Sequence, residues 1–480
     1  MQAPSTMPAP LWSGQALVAA MTARAIGSVP AAIAGVSIDT RTLEPGDAFF
    51  AITGEARDGH EFVAAALAKG AALAVIDAAH AEAMSGPGPY AVVPDVLKAM
   101  ERAGMARRAQ LEAKIVAVTG SVGKTGTKEA LRLVLSRQGK THAPVASYNN
   151  HWGVPLTLCR TPQDVAYAVY EIGMSNPGEI LPLAKLVTPD VAIVTTVQPV
   201  HLAAFASLDG IAEEKGAIFA GLKPGGTAII NADIPQSALL RRLAKASPAG
   251  RIVSFGESAE ADVRLVACAL KPDISTVDAL VFGRKVAYRL GSPGRHIVHN
   301  SLSVLAAVEA LGGDLALAAL ALGDLVPPSG RGARQVHLAP GGPFTLIDES
   351  YNGNPASMRA AIENLGRMPV SGRGRRIAVL GDMLELGPSG PALHVGLGDA
   401  VIEAQIDTVF ACGPLMRGLH DGLPSALRGA YADDASSLEP LVLDSIRAGD
   451  VVTVKGSLGS RMGPIVKAIA ARFPAAPADE

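Results

Sequence analysis

Residues 114–125 read Lys114-Ile-Val-Ala-Val-Thr-Gly-Ser-Val-Gly-Lys-Thr125. Ile115 to Thr119 are apolar or β-branched and run directly into a glycine-rich turn. The periodicity that follows predicts a helix from Lys124 to about Arg137. A strand, a tight turn and a helix in that order present backbone N–H groups at the positive end of the helix, where phosphate is held. Gly120 and Gly123 allow the turn, with Ser121 and Val122 between them. Lys124 is placed to reach the β/γ-phosphates, and the Thr125 hydroxyl to meet Mg²⁺. The usual first glycine of such a loop is replaced by Val118. A plain glycine-rich turn is the alternative, but the flanking strand and helix favour ATP binding.

Outward from this loop the chain alternates strands with helices, which predicts an α/β protein with largely parallel sheets. Strands are expected at Val165–Gly173, Val191–Thr196 and Gly226–Asn231, with a helix after Leu208. Residues 263–290 read as a small antiparallel extension, and helices are expected over 300–311 and 314–323. Before the loop, the first hundred residues suggest a small α/β unit. It has helices over Gly14–Ala25 and His60–Lys69, and strands at Ala48–Ile52 and Ala72–Ile76. Pro327-Pro328-Ser-Gly330 is the strongest linker signal. Beyond it, strands are expected at Phe344–Asp348, Arg376–Leu380, Thr408–Ala411 and Val451–Val454. Helices are expected at Pro355–Leu365, Gly390–Glu403 and Leu438–Ile446, followed by a frayed tail from Phe473. Three domains result, 1–112, 113–326 and 327–480, matching the roughly 150 residues that a domain usually takes.

Composition narrows the class further. The 480 residues carry 42 Lys and Arg against 44 Asp and Glu, a net charge of −2. That balance argues against wrapping nucleic acid. Mean hydropathy is +0.28, yet no stretch approaches the ~18 uninterrupted apolar residues of a membrane span. The most apolar region, 302–326, is broken by Glu309, Asp314 and Asp324. Cys159, Cys268 and Cys412 are too scattered for a disulfide framework and fit a reducing, cytoplasmic setting. A monomer is the default expectation.

An ordered set of motifs extends beyond the loop. It comprises Asp39-Thr-Arg41, Gly46-Asp-Ala-Phe-Phe50 and Asp58-Gly-His60; Asn149-Asn150 with Gly153-Val-Pro-Leu156; and Tyr170-Glu-Ile-Gly173, His201 and Lys215. It continues with Asn231-Ala-Asp233, Pro293-Gly-Arg-His296 and Asn300, then Asp348-Glu-Ser-Tyr-Asn352, Gly381-Asp-Met383 and Lys455-Gly-Ser457. In this order the chain resembles the Mur ligases of bacterial peptidoglycan synthesis. The resemblance implies a small N-terminal α/β domain that binds a UDP-linked substrate, a central P-loop ATPase-like parallel-sheet domain and a C-terminal Rossmann-like domain. It also implies ATP-dependent amide formation through an acyl phosphate. The motifs most resemble the branch that joins D-alanyl-D-alanine to UDP-N-acetylmuramoyl-tripeptide.

By that resemblance Glu171 and His201 are Mg²⁺ ligands together with Thr125, and Lys215 carries a carbamate that turns its charge from positive to negative and lets it bridge or orient Mg²⁺ as a fourth member of the metal site. From the residues alone, Glu171 is a strand-end acid, His201 a loop histidine and Lys215 a surface helix residue pairing with Glu213 or Glu214. Asn300, Arg331 and Asp348 are implied nucleotide contacts, Asn300 opening a helix and Arg331 standing at the hinge. Thr40 and Arg41, with Asn149 and Asn150, are candidates for the UDP portion. Asn352, Asp382, Lys455 and Ser457 are candidates for the dipeptide and peptide stem, with the γ-phosphate an equal option for Lys455.

Two departures stand out: Leu202-Ala-Ala-Phe-Ala206 where the family often has Leu-Glu-Gly-Phe-Gly, and Gly126 where a hydroxyl residue is common. The competing readings are the third-residue-adding ligase, folylpolyglutamate synthase and a P-loop switch ATPase. The Asp-Asn-Pro-Arg signature of the diaminopimelate-adding enzyme has no counterpart here.

Overall fold

A computed structural model describes residues 10–54, 57–83, 88–200 and 204–477. Its largest sheet runs Arg284–Leu290, Ser275–Val281, Val263–Leu270, Arg251–Gly256, Thr227–Asn231, Val191–Val194, Lys114–Thr119, Tyr167–Glu171 and Thr141–His142. Neighbours are parallel from Val263–Leu270 through to Thr141–His142. The Val263–Val281 and Ser275–Leu290 pairings are antiparallel, as the sequence suggested. The central strand shows why the run at 115–118 is apolar throughout. Ile115 and Ala117 pack into one core with Tyr170 and Ile172, and Val116 and Val118 into another with Leu131 and Leu302. A strand covered on both faces needs apolar residues on both.

The first sheet is smaller, running Arg24–Ile26, Tyr90–Val93, Leu73–Asp77, Ala48–Phe50 and Val36–Ser37, with only the Arg24–Ile26 pairing antiparallel. Helix Val96–Gln110 joins it to the middle sheet. Met100 and Ala103 share a core with Leu156 and Cys159, and Arg108 donates to the carbonyls of Val187 at 2.6 Å and Thr188 at 2.7 Å.

The third sheet runs Ala333–Ala339, Gly342–Glu349, Val451–Lys455, Arg376–Gly381, Thr408–Cys412 and Arg428–Ala432. It too is buried on both faces, Ala378 and Leu380 against one layer, Ile377 and Val379 against the other. Its first strand is antiparallel and the rest are parallel.

Several boundaries differ from those read in the sequence. The first helix is Gly14–Met21, because Thr22 turns left-handed at φ 55° and releases Arg24–Ile26 to the sheet. Residues 59–62 form a 3₁₀ turn capped by Asp58 before the helix Val63–Ala68 begins. Asn300 does not open its helix, which runs Arg295–Ala310. The helix expected at Gly390–Glu403 is two, Gly390–Val395 and Gly398–Glu403. The tail is not frayed through residue 477. Phe473 is buried, Pro474 accepts from Leu338 N at 2.9 Å, and Ala476 N donates to Val336 at 2.8 Å. Strands Ala333–Ala339 and Arg428–Ala432 had no expected counterpart, because both carry charged or glycine residues and lie at sheet edges.

Candidate functional site

The strand ends of the middle and third sheets face one another across a cleft of about 650 Å³. The P-loop forms one wall. Gly120 (φ 151°) and Gly123 (φ 88°) take conformations that a side chain resists. A Cβ on Gly120 would run into the Thr195 hydroxyl, and one on Gly123 would sit 2.6 Å from Asn300 Nδ2. Ser121 is locked to the neighbouring strand end, accepting from Gln198 N at 2.9 Å and donating to Gln198 O at 3.1 Å. Lys124 Nζ folds back to Gly120 O at 2.6 Å. Burial pushes its amine below the ordinary lysine range. Glu171 opposes that shift and Arg331 adds to it.

The hard-oxygen cluster lies one residue further along. Glu171, 1% exposed at the end of its strand, accepts from Thr125 Oγ1 at 2.9 Å and from Asn149 Nδ2 at 2.7 Å. Ser147 Oγ is 3.1 Å from Thr125 Oγ1. Carboxylate and hydroxyl oxygens converging beside a phosphate loop are the donor set that Mg²⁺ prefers. His201, and the Ala203 departure beside it, lie outside the described residues.

Lys215 is buried on helix Leu208–Gly216, contrary to the surface position its sequence suggests. Glu214 is not its partner in an ion pair. The Glu214 carboxylate accepts from Gly178 N at 2.7 Å and Ile180 N at 2.8 Å. Burial holds the Lys215 amine well below its usual range, and the charge of Lys124 adds to that shift.

The opposite wall comes from the third domain. Lys455, 3% exposed, reaches Asn352 O at 2.9 Å and Glu349 Oε2 at 3.3 Å. Ser457 Oγ accepts from Leu384 N and donates to Gly353 O, both at 2.9 Å. Arg331 stacks 4.2 Å above the Tyr351 ring and points Nη2 at Ser147 Oγ, 3.4 Å away.

The cleft therefore brings together the P-loop, Asn149, Asn150, Glu171, Asn300, Arg331, Asn352, Lys455 and Ser457. Asp348 and Asp382 stand behind it. Asp348 accepts from Gly330 N at 2.9 Å and Ser350 Oγ at 2.6 Å, pinning the linker. Asp382 accepts from Met416 N at 2.8 Å and Leu415 N at 3.3 Å. Thr40 and Arg41 stand outside the cleft. Arg41 is exposed and paired with Asp39 at 2.6 Å, and Lys69 Nζ donates to Thr40 O at 3.1 Å. Sequence reasoning passed over Ser147, Glu349 and Tyr351. The last two sit inside a quoted motif, whereas nothing around Ser147 marked it.

A phosphate-type loop at the strand ends of one α/β domain, facing a second α/β domain across a cleft, is the architecture of a multidomain enzyme, and comparison with known families shows which class. Residues 32–117 match the Mur ligase family catalytic domain, 118–308 the Mur ligase middle domain and 334–458 the Mur ligase glutamate ligase domain. The chain belongs to the Mur ligase family. Among relatives, it is 34% identical to the UDP-N-acetylmuramoyl-tripeptide–D-alanyl-D-alanine ligase of Escherichia coli (strain K12), with 90% of this chain and 93% of that one aligned. A crystal structure of MurF from Acinetobacter baumannii superposes with a TM-score of 0.82 at 30% identity, covering 96% of this chain and 99% of that one. MurF from Thermotoga maritima in complex with ADP gives 0.73 at 25% identity, covering 91% and 97%. No helix among the described residues is long and apolar enough to cross a membrane.

Proposed function

We propose that this chain is the ATP-dependent ligase that joins D-alanyl-D-alanine to UDP-N-acetylmuramoyl-tripeptide, giving the UDP-linked pentapeptide, ADP and phosphate. The observation that carries the reading is the juxtaposition of Lys124 and the Thr125–Glu171 pair with the Lys455–Ser457 wall across one cleft. A carboxylate is a poor electrophile, so its activation needs phosphoryl transfer between two anions, and cations must offset the charge. In this reading Lys124 and the loop amides hold the phosphates, and Arg331 approaches from the linker. The tripeptide carboxylate oxygen attacks the γ-phosphorus, and the bond to the β-bridging oxygen of ATP breaks to release ADP. The dipeptide amine then attacks the acyl carbon, loses a proton, and phosphate leaves.

Thr125, Glu171 and, through family resemblance, His201 and the Lys215 carbamate would hold Mg²⁺, which would supply charge neutralisation at the phosphates. Asn300 serves the nucleotide, Thr40, Arg41, Asn149 and Asn150 the UDP portion, and Asn352, Lys455 and Ser457 the peptide side, while Asp348 and Asp382 hold the backbone behind the cleft. Closing the cleft keeps water from the acyl phosphate. One chain supplies every group named, so the monomer is the unit of the proposal, and its substrates place it in the cytoplasm.

Lys215 is read as carbamylated. A buried, neutral amine is the form that adds CO₂, giving a carbamate and releasing one proton. ¹³C-bicarbonate should therefore give a carbamate resonance that Lys215→Arg lacks.

The deciding experiment is phosphate release from ATP and Mg²⁺ with the UDP-linked tripeptide, with and without D-alanyl-D-alanine, coupled to mass detection of the product. Release requiring both substrates, with pentapeptide formed, supports the ligase. Equal release with neither supports the switch ATPase instead.

A further inference from the structure

Helix Lys124–Ser136 carries a second lysine one turn after Lys124. Lys128 is fully buried, an uncommon place for a charged amine. It is satisfied there by Pro144 O at 2.7 Å and Glu129 Oε1 at 2.5 Å, and Glu129 also accepts from Arg132 at 2.7 Å.

Pro144 is the second residue of the irregular segment between strand Thr141–His142 and helix Gly153–Cys159. The far end of that segment is tied by Gly173 N to Asn149 O at 2.8 Å and by Gly153 N to Asn150 Oδ1 at 2.9 Å. Lys128 ties the near end. Between these anchors stand Ser147, against Thr125 and Arg331, and Tyr148, whose ring lies 5.5 Å from the Arg160 guanidinium.

The hydrogens fix a direction. Thr125 O–H donates to Glu171 and an Arg331 N–H donates to Ser147, so the Ser147 proton is left for Thr125 Oγ1. One chain of donors thus runs from the linker arginine to the buried carboxylate, and its middle member depends on the 143–150 backbone being held at both ends.

We infer that Lys128 is a positioning residue for phosphoryl transfer, acting through residues 143–150 and Ser147 to hold the Thr125–Glu171 oxygen pair in register with the hinge arginine. The inference rests on the nucleotide reading above.

It is tested by titrating the unaltered chain, Lys128→Met and Ser147→Ala with a fluorescent ADP analogue at varied Mg²⁺, alongside the ligation rate. Lys128→Met should raise the Mg²⁺ concentration for half-maximal binding roughly tenfold, the change that losing one charge-assisted hydrogen bond corresponds to. Ser147→Ala should raise it about threefold. Metal-free nucleotide binding and KM for D-alanyl-D-alanine should hold, and high Mg²⁺ should restore kcat. Unchanged half-saturation in Lys128→Met overturns the inference, as does a loss equal at every Mg²⁺ concentration. Should Lys128→Met fail to fold, Lys128→Gln, which keeps a donor for Pro144 O, takes its place in the same titration. An unaltered chain that binds Mg²⁺–ADP but forms no pentapeptide breaks the ligase reading and leaves this binding test intact.

Discussion

The strand ends of the middle and third sheets are built from the same parallel architecture but treat charge in opposite ways. In the middle domain Lys124 and Lys215 are buried and pushed below their ordinary range, each feeling other cations in the cleft. Among the described residues neither amine has a carboxylate partner in an ion pair, although the charges of Glu171 and Glu214 oppose the two shifts. In the third domain Lys455 is already paired with Glu349, and both oxygens of Asp382 are taken by backbone amides. Burying a charge without a partner costs free energy and survives where a ligand repays it. On the function proposed above, Lys124 is where a phosphate would complete the balance, whereas the second set already holds its own loops in place.

The sharpest way to break this comparison is Lys124→Met. If the middle-domain cation acts on transferring phosphate, kcat should fall by about 10³-fold or more, the scale set by charges that act at the transition state. Adding Glu171→Gln should restore nothing. Lys455→Met should cost less, roughly 10- to 100-fold in kcat/KM for the peptide substrates, while thermal stability falls because Glu349 is left unpaired. The double variant Lys455→Met/Glu349→Gln should recover much of that stability. Full kinetic recovery as well would show the pair to be purely internal. Asp382→Ala should act on stability before rate. Losing an ionised acceptor for two amides costs about 2 kcal/mol in denaturant unfolding, with kcat changed less than about threefold. A kcat collapse in a folded Asp382→Ala chain would instead place Asp382 on the substrate.

This division also explains what could be read in the sequence. The alternation of strands and helices, the P-loop and the linker at 327–330 were legible because periodicity and glycine or proline placement are local signals. The edge strands Ala333–Ala339 and Arg428–Ala432 were not, since half-exposed strands with charged residues resemble loops. The break at Gly396 and Leu397 escaped for the converse reason, an apolar pattern that continues across it. Motif residues such as Glu171, Lys455 and Ser457 do line the cleft, whereas Thr40 and Arg41, flagged in the same way, stand outside it. What each does with its hydrogen bonds was hidden. Asp348 and Glu349 are adjacent in sequence, yet one pins the linker and the other meets Lys455. The burial of Lys128 and Lys215 is a tertiary fact with no local signature, and the residue type itself points the wrong way.

The first sheet offers the mildest test, a third treatment of charge at a strand end. Asp77 closes strand Leu73–Asp77 and accepts from His80 Nδ1 at 2.8 Å. His80 stacks on His60 at 3.9 Å and faces Asp58 at 3.4 Å. The Asp77 hydrogen bond raises the His80 imidazole above its ordinary range, against a smaller opposing effect of desolvation, and the charges of Asp77 and Asp58 add to the rise. A raised folded value means the proton is held more tightly in the folded chain. The stabilisation is then complete below the unfolded value of about 6.5 and is lost as pH rises through the folded one. His142 in the middle domain has the opposite sign. Burial lowers it to about 4, so its contribution is lost as pH falls from about 6.5 toward that value. Thermal unfolding followed from about pH 5 to 9 should therefore lose its alkaline slope in His80→Ala and keep its acid slope. If His80→Ala leaves the alkaline slope unchanged, the Asp77–His80 pair does not hold its proton more tightly in the folded chain, and the first sheet does not treat charge in this third way.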